Sequence, residues 1–360
     1  MQTAIPCALM RGGSSKGLYF RHDVLPEDAE RRDAVLIAAM GADERQIDGV
    51  GGAHPLTSKV AIVSRSEQPD VDIDYLFVQV VVGEGRVDAT PNCGNMLAGV
   101  APFAIEQGLV RAADGETRVR IRMVNSDNLC ELVVRTPGGN VTYDGDTKIS
   151  GVPGTSAPIV CNYLDVAGSL TGALLPTGNI VDVVDGVEVT CIDNGMPVVV
   201  LRAADLGISG YETREELDAD SELKDKLESI RLQVGPLMNL GDVTKKVVPK
   251  MSLISAARSG GHVNTRTFIP HNCHAAIGVL GAVSVATVCI WPGSVATGIA
   301  IAPSGATKQL SVEHPSGEFS VTLQVGGTAE QPVIEKAGLL RTARMIMRGE
   351  VLVPEDVWKG

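Results

Sequence analysis

The chain states one pattern twice. Asn92-Cys93-Gly94-Asn95-Met96 heads a long apolar run, and Asn272-Cys273-His274 heads another, with Cys273 falling 180 positions after Cys93. At the same offset the turn-rich loop Arg11-Gly12-Gly13-Ser14-Ser15-Lys16-Gly17 falls on the segment from Cys191 to Pro197, which contains Asn194 and Gly195. Each loop is followed by an apolar, strand-like stretch. A duplication on this scale points to two domains of similar fold. Each would open with a tight loop and later present Asn-Cys at the mouth of an apolar helix. The least structured join lies at 178–181, so the expected domains are 1–180 and 181–360.

The 360 residues suffice for two cores of ordinary size. With 44% hydrophobic but only 3% aromatic residues, those cores are built from Val, Ile, Leu and Ala. A net charge of −12 argues against nucleic acid or an anionic membrane as partner. It leaves a small anionic substrate open, because a local field can oppose the overall charge. Seven cysteines without a repeating spacing read as reduced thiols of a cytoplasmic protein. Met1 to Met10 is too short an apolar run for a signal peptide.

Strand-like runs dominate, among them 5–10, 59–64, 75–82, 119–124, 187–192, 198–202 and 319–325, each bounded by turn formers. Helices are expected over 26–40, 94–107, 213–234 and 274–290, with an amphipathic helix over 335–348 closing the chain. Residues 267–307 contain no Lys, Arg, Asp or Glu. Trp291-Pro292-Gly293 interrupts that stretch, which therefore reads as a buried helix followed by a strand over 295–302 rather than a membrane span. The fold class is α/β, in the α+β sense.

Three segments can carry chemistry. A cysteine at a helix N-terminus faces unpaired backbone N–H groups and a partial positive charge that favour its thiolate and any bound carboxylate. Cys93 fits that description, although a free cysteine is more often a small buried apolar residue. Lys59, in Leu56-Thr57-Ser58-Lys59-Val60-Ala61, stands at the head of a strong strand. A desolvated lysine there becomes a usable base at neutral pH. The alternative is a stem that snorkels from a strand end. The repeat sets Asn239 opposite Lys59, so only the first half carries the lysine. Finally, Arg11, Ser14, Ser15 and Lys16 can wrap a carboxylate, or simply form a turn. Arg266, His271 and His274 offer a second grip. No further ligand cluster has zinc spacing, so no metal is expected.

The segments 10–17, 46–52, 56–63 and 92–96 closely resemble the PrpF-type isomerases, over essentially the whole chain, and most of all the 4-oxalomesaconate tautomerases or isomerases of aromatic-acid breakdown. The resemblance implies a diaminopimelate-epimerase-like fold, two pseudo-repeated domains each with a curled sheet around a central helix and the active site between them. It implies Lys59 as general base and Cys93 as general acid or positioning group, with no cofactor, acting on a small unsaturated tricarboxylate. Candidate substrate contacts are Arg11, Ser14, Ser15, Lys16, Ser58, Asn92, Gly94, Asn95, Met96, Asn194, Arg266, His271, Cys273 and His274. The epimerase relatives use two cysteines, but here His274-Ala275 replaces their pattern after the second, which disfavours a symmetric two-thiol racemisation. The competing readings are a 2-methylaconitate cis-trans isomerase, an amino-acid epimerase and a non-enzymatic tricarboxylate binder. Oligomeric state stays open, a homodimer included.

Overall fold

The computed structural model describes residues 1–89, 92–164, 167–328 and 332–360. The chain forms two compact units, Met1–Leu164 with Leu340–Gly360, and Asp165–Leu339.

The first unit begins with a hairpin of β1 (Gln2–Gly12) and β2 (Ser15–Arg21), followed by α1 (Ala29–Met40). Asp28 caps α1 by accepting from the Arg31 N–H at 2.9 Å. Strand β3 (Lys59–Arg65) lies parallel to β2, and β4 (Ile73–Val81) runs antiparallel to β3. After the short β5 (Arg86–Asp88) comes α2 (Gly94–Glu106). Strand β6 (Gly115–Met123) is parallel to β4, and β7 (Asn128–Thr136) and β8 (Ile159–Leu164) continue antiparallel. The sheet curls around α2, which touches β1, β2, β3, β4 and β7. One strand face carries Val60, Ile62, Leu18 and Phe20 into a core with Val35, Leu36 and Met40 of α1. Side-chain alternation turns Lys59, Ala61 and Val63 to the other face, toward α2.

The second unit repeats this topology. Its strands are β9 (Asp182–Val184), β10 (Val187–Asp193) and β11 (Pro197–Arg202), the last two a hairpin. Helices α3 (Arg214–Ala219) and α4 (Ser221–Leu237) follow. Strand β12 (Lys250–Ser255) is parallel to β11, and β13 (Val263–Phe268) is antiparallel to β12. The central helix is α5 (Val279–Ile290), and every residue from Gly281 to Ile290 is buried. Strand β14 (Thr307–His314) is parallel to β13, with β15 (Gly317–Gly327) and β16 (Pro332–Arg341) antiparallel beyond it. Helix α5 contacts β10, β11, β14 and β15. The order hairpin, parallel strand, antiparallel strand, helix, parallel strand is thus the same in both units. Finally β17 (Ala343–Pro354) pairs antiparallel with β1 along its length, as part of the first unit.

Four expectations are corrected. The closing segment 335–348 is not a helix: its spaced apolar residues lie in β16 and β17, broken at Thr342, and the pairing of β16 with β15 and of β17 with β1 overrides helical propensity. The helix expected from His274 begins at Val279, because His274 N–H bonds back to Thr267 O at 2.7 Å and folds this stretch onto the end of β13. The strand expected over 295–302 is a run of turns, with Ile299 and Ala300 N–H both bonded to Ala296 O. The counterpart of Lys59 is not Asn239, which lies just past α4 with φ of 59°. The first residue of the strand equivalent to β3 is Lys250, 191 positions on, because the α3–α4 region lengthens the second repeat. Among the described residues, no helix is long and apolar enough to cross a membrane.

Candidate active site

Lys59 is 8% exposed, and among the described residues no carboxylate pairs with it. A buried lysine without an acid is costly unless something else satisfies it. Here the amide of Gln79, its register partner on β4, accepts from Nζ at 2.8 Å. Nζ also stands 4.8 Å from the centroid of the Phe77 ring. The other end of Gln79 is anchored: its amide nitrogen donates to Ser58 O at 2.9 Å, Pro55 O at 3.1 Å and Val80 O at 3.2 Å. The amine is therefore held in place by neutral groups. Gly17 sits opposite Lys59 in the parallel pair, and any Cβ there would run into Lys59 O and the Met96 methyl group. Glycine at 17 is what allows β2, β3 and the first turn of α2 to approach so closely.

Cys93 is the residue that caps α2, and the first helical bond runs from Leu97 N–H to Cys93 O at 3.0 Å. The N–H groups of Gly94, Asn95 and Met96 have no carbonyl within the helix to bond, as at any helix start. Cys93 is the one half-buried thiol; the other six are buried, and all seven are free. Tyr75, on the same face of β4 as Phe77 and Gln79, donates to Cys93 O at 3.2 Å. The Tyr75 phenol is pushed up strongly by burial and then by neighbouring Cys93. Tyr19 is pushed up by the same two causes in the same order, and donates to Met96 O at 2.6 Å. Both phenols are thus hydrogen-bond donors at neutral pH. The face of β3 and β4 that carries Lys59 is the face on which the N-terminus of α2 rests.

The first hairpin loop is tied to the same helix. Ser14 N–H donates to Asn95 Oδ1 at 3.4 Å, and the Asn95 amide donates to Ser14 Oγ at 3.2 Å. Gly13, at φ of 51°, leaves room for the Asn95 side chain. Ser15 is buried, and among the described residues its hydroxyl has no partner. Arg11 is engaged by protein oxygens, with Nη1 on Gly13 O, Thr342 O and Thr342 Oγ1 at 2.8–3.0 Å and Nη2 on Ser156 Oγ at 3.2 Å. Lys16 faces Arg11 across the hairpin and, by alternation, points away from Ser15 and Gly17. Ser58 is fully buried and donates to Gln46 Oε1 at 2.5 Å and to His54 O at 2.9 Å, which knits the glycine-rich loop before β3. Asn92 donates to Ser126 Oγ at 2.5 Å. Lys59, Cys93, Gly94, Asn95, Met96, Ser14 and Ser15 thus gather at one end of α2. Ser58 and Arg11 support that end, and Lys16 lies off it.

In the second unit, Asn194 fastens the equivalent hairpin to α5: its N–H donates to Ser284 Oγ at 3.1 Å and its amide to Thr287 Oγ1 at 2.9 Å. Cys273 is buried and does not cap α5. It bridges to Phe268, and its N–H donates to Asp218 Oδ1 at 2.6 Å. Burial, then the Asp218 carboxylate, push its thiol up to about 11, so it is protonated at neutral pH. His274 is pushed down by burial, then by Lys250 and Arg214, and its Nδ1 accepts from Ala276 N–H at 2.8 Å. The imidazole is therefore neutral with its proton on Nε2. Arg266 donates to Glu212 O at 2.8 Å and Thr265 O at 2.8 Å. His271 is exposed, 3.7 Å from Glu228. Two residues escaped the sequence reading. Gln79 carries no motif, only a strand register. Lys250 was hidden by the unequal length of the repeats. Among the described residues no group of three His, Cys, Asp or Glu side chains is placed to hold a metal.

The model of the PrpF protein family matches residues 2–354. The 4-oxalomesaconate tautomerase of Pseudomonas putida is 59% identical over 360 residues, covering 100% of this chain and 99% of its own. The (4E)-oxalomesaconate Delta-isomerase of Novosphingobium sp. is 60% identical over 349 residues, 97% of each. Among solved structures, a methylitaconate-delta-isomerase superposes with a TM-score of 0.86 at 32% identity, covering 99% of this chain and 97% of that one. A hydroxyproline epimerase from Agrobacterium vitis, with a TM-score of 0.50 and 11% identity over 99% of this chain and 97% of that one, shares the fold alone.

Proposed function

The chain belongs to the PrpF family, and from that premise we propose that it is a 4-oxalomesaconate isomerase working by proton transfer through Lys59 and Cys93. The carrying observation is the Lys59 amine, buried without a carboxylate and fixed by Gln79 and Phe77 beside the N-terminus of α2. In its base form the Lys59 amine removes a proton from the carbon flanked by the keto group and the conjugated acid. The electron pair of that C–H bond moves into the carbonyl, giving a dienolate and a lysine ammonium. The unpaired N–H groups at the start of α2 supply the positive field that a developing enolate oxygen requires. Cys93 returns a proton: on the terminal carbon it gives the shifted double bond, on oxygen the enol. The step is redox-neutral, with one C–H bond broken and one C–H or O–H bond made on the substrate; the Lys59 ammonium then loses its proton to solvent and the Cys93 thiolate regains one, which restores both groups. Ser14, Ser15 and Asn95 supply hydroxyl and amide groups for a substrate carboxylate.

The test is an ultraviolet assay of 4-oxalomesaconate with the purified protein, followed by proton NMR of the product, with 2-methylaconitate assayed in parallel. Turnover of 4-oxalomesaconate well above that of 2-methylaconitate supports the reading. The reverse preference moves the protein to the other substrate of the family, and turnover of neither contradicts the proposal. The NMR spectrum distinguishes enol from shifted double bond.

A further inference from the structure

The second unit contains a lysine that the mechanism does not use. Lys250 opens β12 as Lys59 opens β3, and each strand lies parallel to the second strand of its hairpin. Met251 and Leu253 point into the core beneath α4, so alternation turns Lys250 and Ser252 to the α5 side, as it turns Lys59 to the α2 side. Lys250 is half-buried, and among the described residues no carboxylate pairs with it.

Lys250 stands near another cation, Arg231, and near His274. Lys250 and Arg214 both lie near enough to His274 to disfavour a charged imidazole, and Arg266 and Arg214 both act on Cys273. The neighbouring acids are engaged elsewhere. Asp218 accepts from Cys273 N–H and lies 3.4 Å from Arg214, while Glu228 holds Arg231 through both oxygens at 2.6 and 2.7 Å. Arg231 is fully buried and donates to the carbonyls of Val243, Lys246 and Val248. That clamp fixes the segment leading into β12 and hence the root of Lys250. Burial, then Arg231, pull the Lys250 amine down to about 8. His274 is folded onto the same strand pair, its N–H bonded to O of Thr267, the register partner of Ser252. In a chain of net charge −12, a half-buried lysine with no carboxylate partner among the described residues, at the strand end where His274 folds back, is an anion site in waiting.

We propose that Lys250, with His274, forms a carboxylate-binding site in the second unit, and that its ligand is one carboxylate of a tricarboxylate. The ligand class rests on the isomerase reading; the site itself rests on the geometry above. Lys250 is a binding residue, distinct from the proton-transferring Lys59.

The experiment is calorimetric binding of tricarballylate, a saturated tricarboxylate that cannot turn over, to intact wild type, Lys250→Met and Lys250→Arg, each with a thermal melt. Lys250→Met removes charge at similar length. The proposal expects its Kd to rise at least tenfold while Tm stays equal or rises, because an unneutralised cation is lost from a half-buried position. Lys250→Arg keeps the charge and is expected to bind within a few-fold of wild type. Should Lys250→Met fail to fold, Lys250→Gln takes its place with the same expectation. Wild-type affinity retained in the folded neutral variant overturns the proposal. So does a wild type that binds no tricarboxylate. Turnover of 4-oxalomesaconate is measured separately, so a chain that binds tricarballylate through Lys250 but isomerises nothing fails the isomerase reading and keeps the site.

Discussion

At the residue scale, the decisive contrast is between two cysteines that look alike in the sequence. Cys93 caps a helix and is half-buried; Cys273 is buried, bridges to Phe268 and is pushed up to about 11. Thiolate fraction and access set alkylation rate. Iodoacetamide at pH 7.5 is therefore expected to label Cys93 first and leave Cys273 intact, as read by peptide mass spectrometry over time; Cys273 labelled ahead of Cys93 contradicts the assignment. Gln79 is the second residue-scale case. Replacing it by Leu leaves Lys59 without its acceptor and releases two bonds to the loop at Pro55 and Ser58 and one to Val80 O. A misplacement of about 1 Å in a reacting group costs up to roughly 100-fold in rate. The Gln79→Leu variant should lose about 10- to 100-fold in kcat with a smaller change in KM, measured by steady-state kinetics. Lys59 and Cys93 were legible as candidates because a buried lysine and a helix-mouth cysteine are unusual on chemical grounds alone. Gln79 was not, because an amide in mid-strand has no signature until its register partner is known.

At the element scale, each hairpin loop is fastened to the central helix of its unit, by Asn95 with Ser14 in the first and by Ser284 with Asn194 in the second. Ser284 is fully buried, accepts from Asn194 N–H and donates to Met196 O at 2.8 Å. Ser284→Ala strands both groups, at about 1–3 kcal/mol. For a domain of this size each kcal/mol moves Tm by roughly 2–4 °C. Differential scanning calorimetry should therefore show a clear drop in Tm, and no change means that water replaces the hydroxyl. Helix α2 was legible nearly to the residue, since Gly94 follows a capping cysteine and leads into an apolar run. The start of α5 was not: the apolar stretch from His274 looks continuous, but the bond from His274 N–H to Thr267 O holds its first residues in a turn. The last two strands were missed because pairing decides them, of β16 with β15 and of β17 with β1, and a local pattern of spaced apolar residues cannot report it.

At the scale of the whole molecule, the duplication read from the sequence is the organising fact of the fold. Both units follow the same strand order around a buried helix. What the constant offset of 180 hid is that the repeats differ in length, so it paired Lys59 with Asn239 instead of Lys250. The consequence is two lysines with different neighbours: one held by Gln79 and Phe77, the other near Arg231 and His274. The proposed mechanism stands on Lys59 as the group that breaks the C–H bond. The most direct test follows deuterium into 4-oxalomesaconate in buffered D2O by proton NMR, comparing wild type, Lys59→Ala and Cys93→Ser. The account predicts rapid incorporation at the reacting carbon in wild type and none above background in Lys59→Ala. In Cys93→Ser, exchange should persist while product formation falls, since proton removal survives and proton return does not. Exchange that continues in folded Lys59→Ala at the wild-type rate would contradict the assignment and transfer the base to another residue.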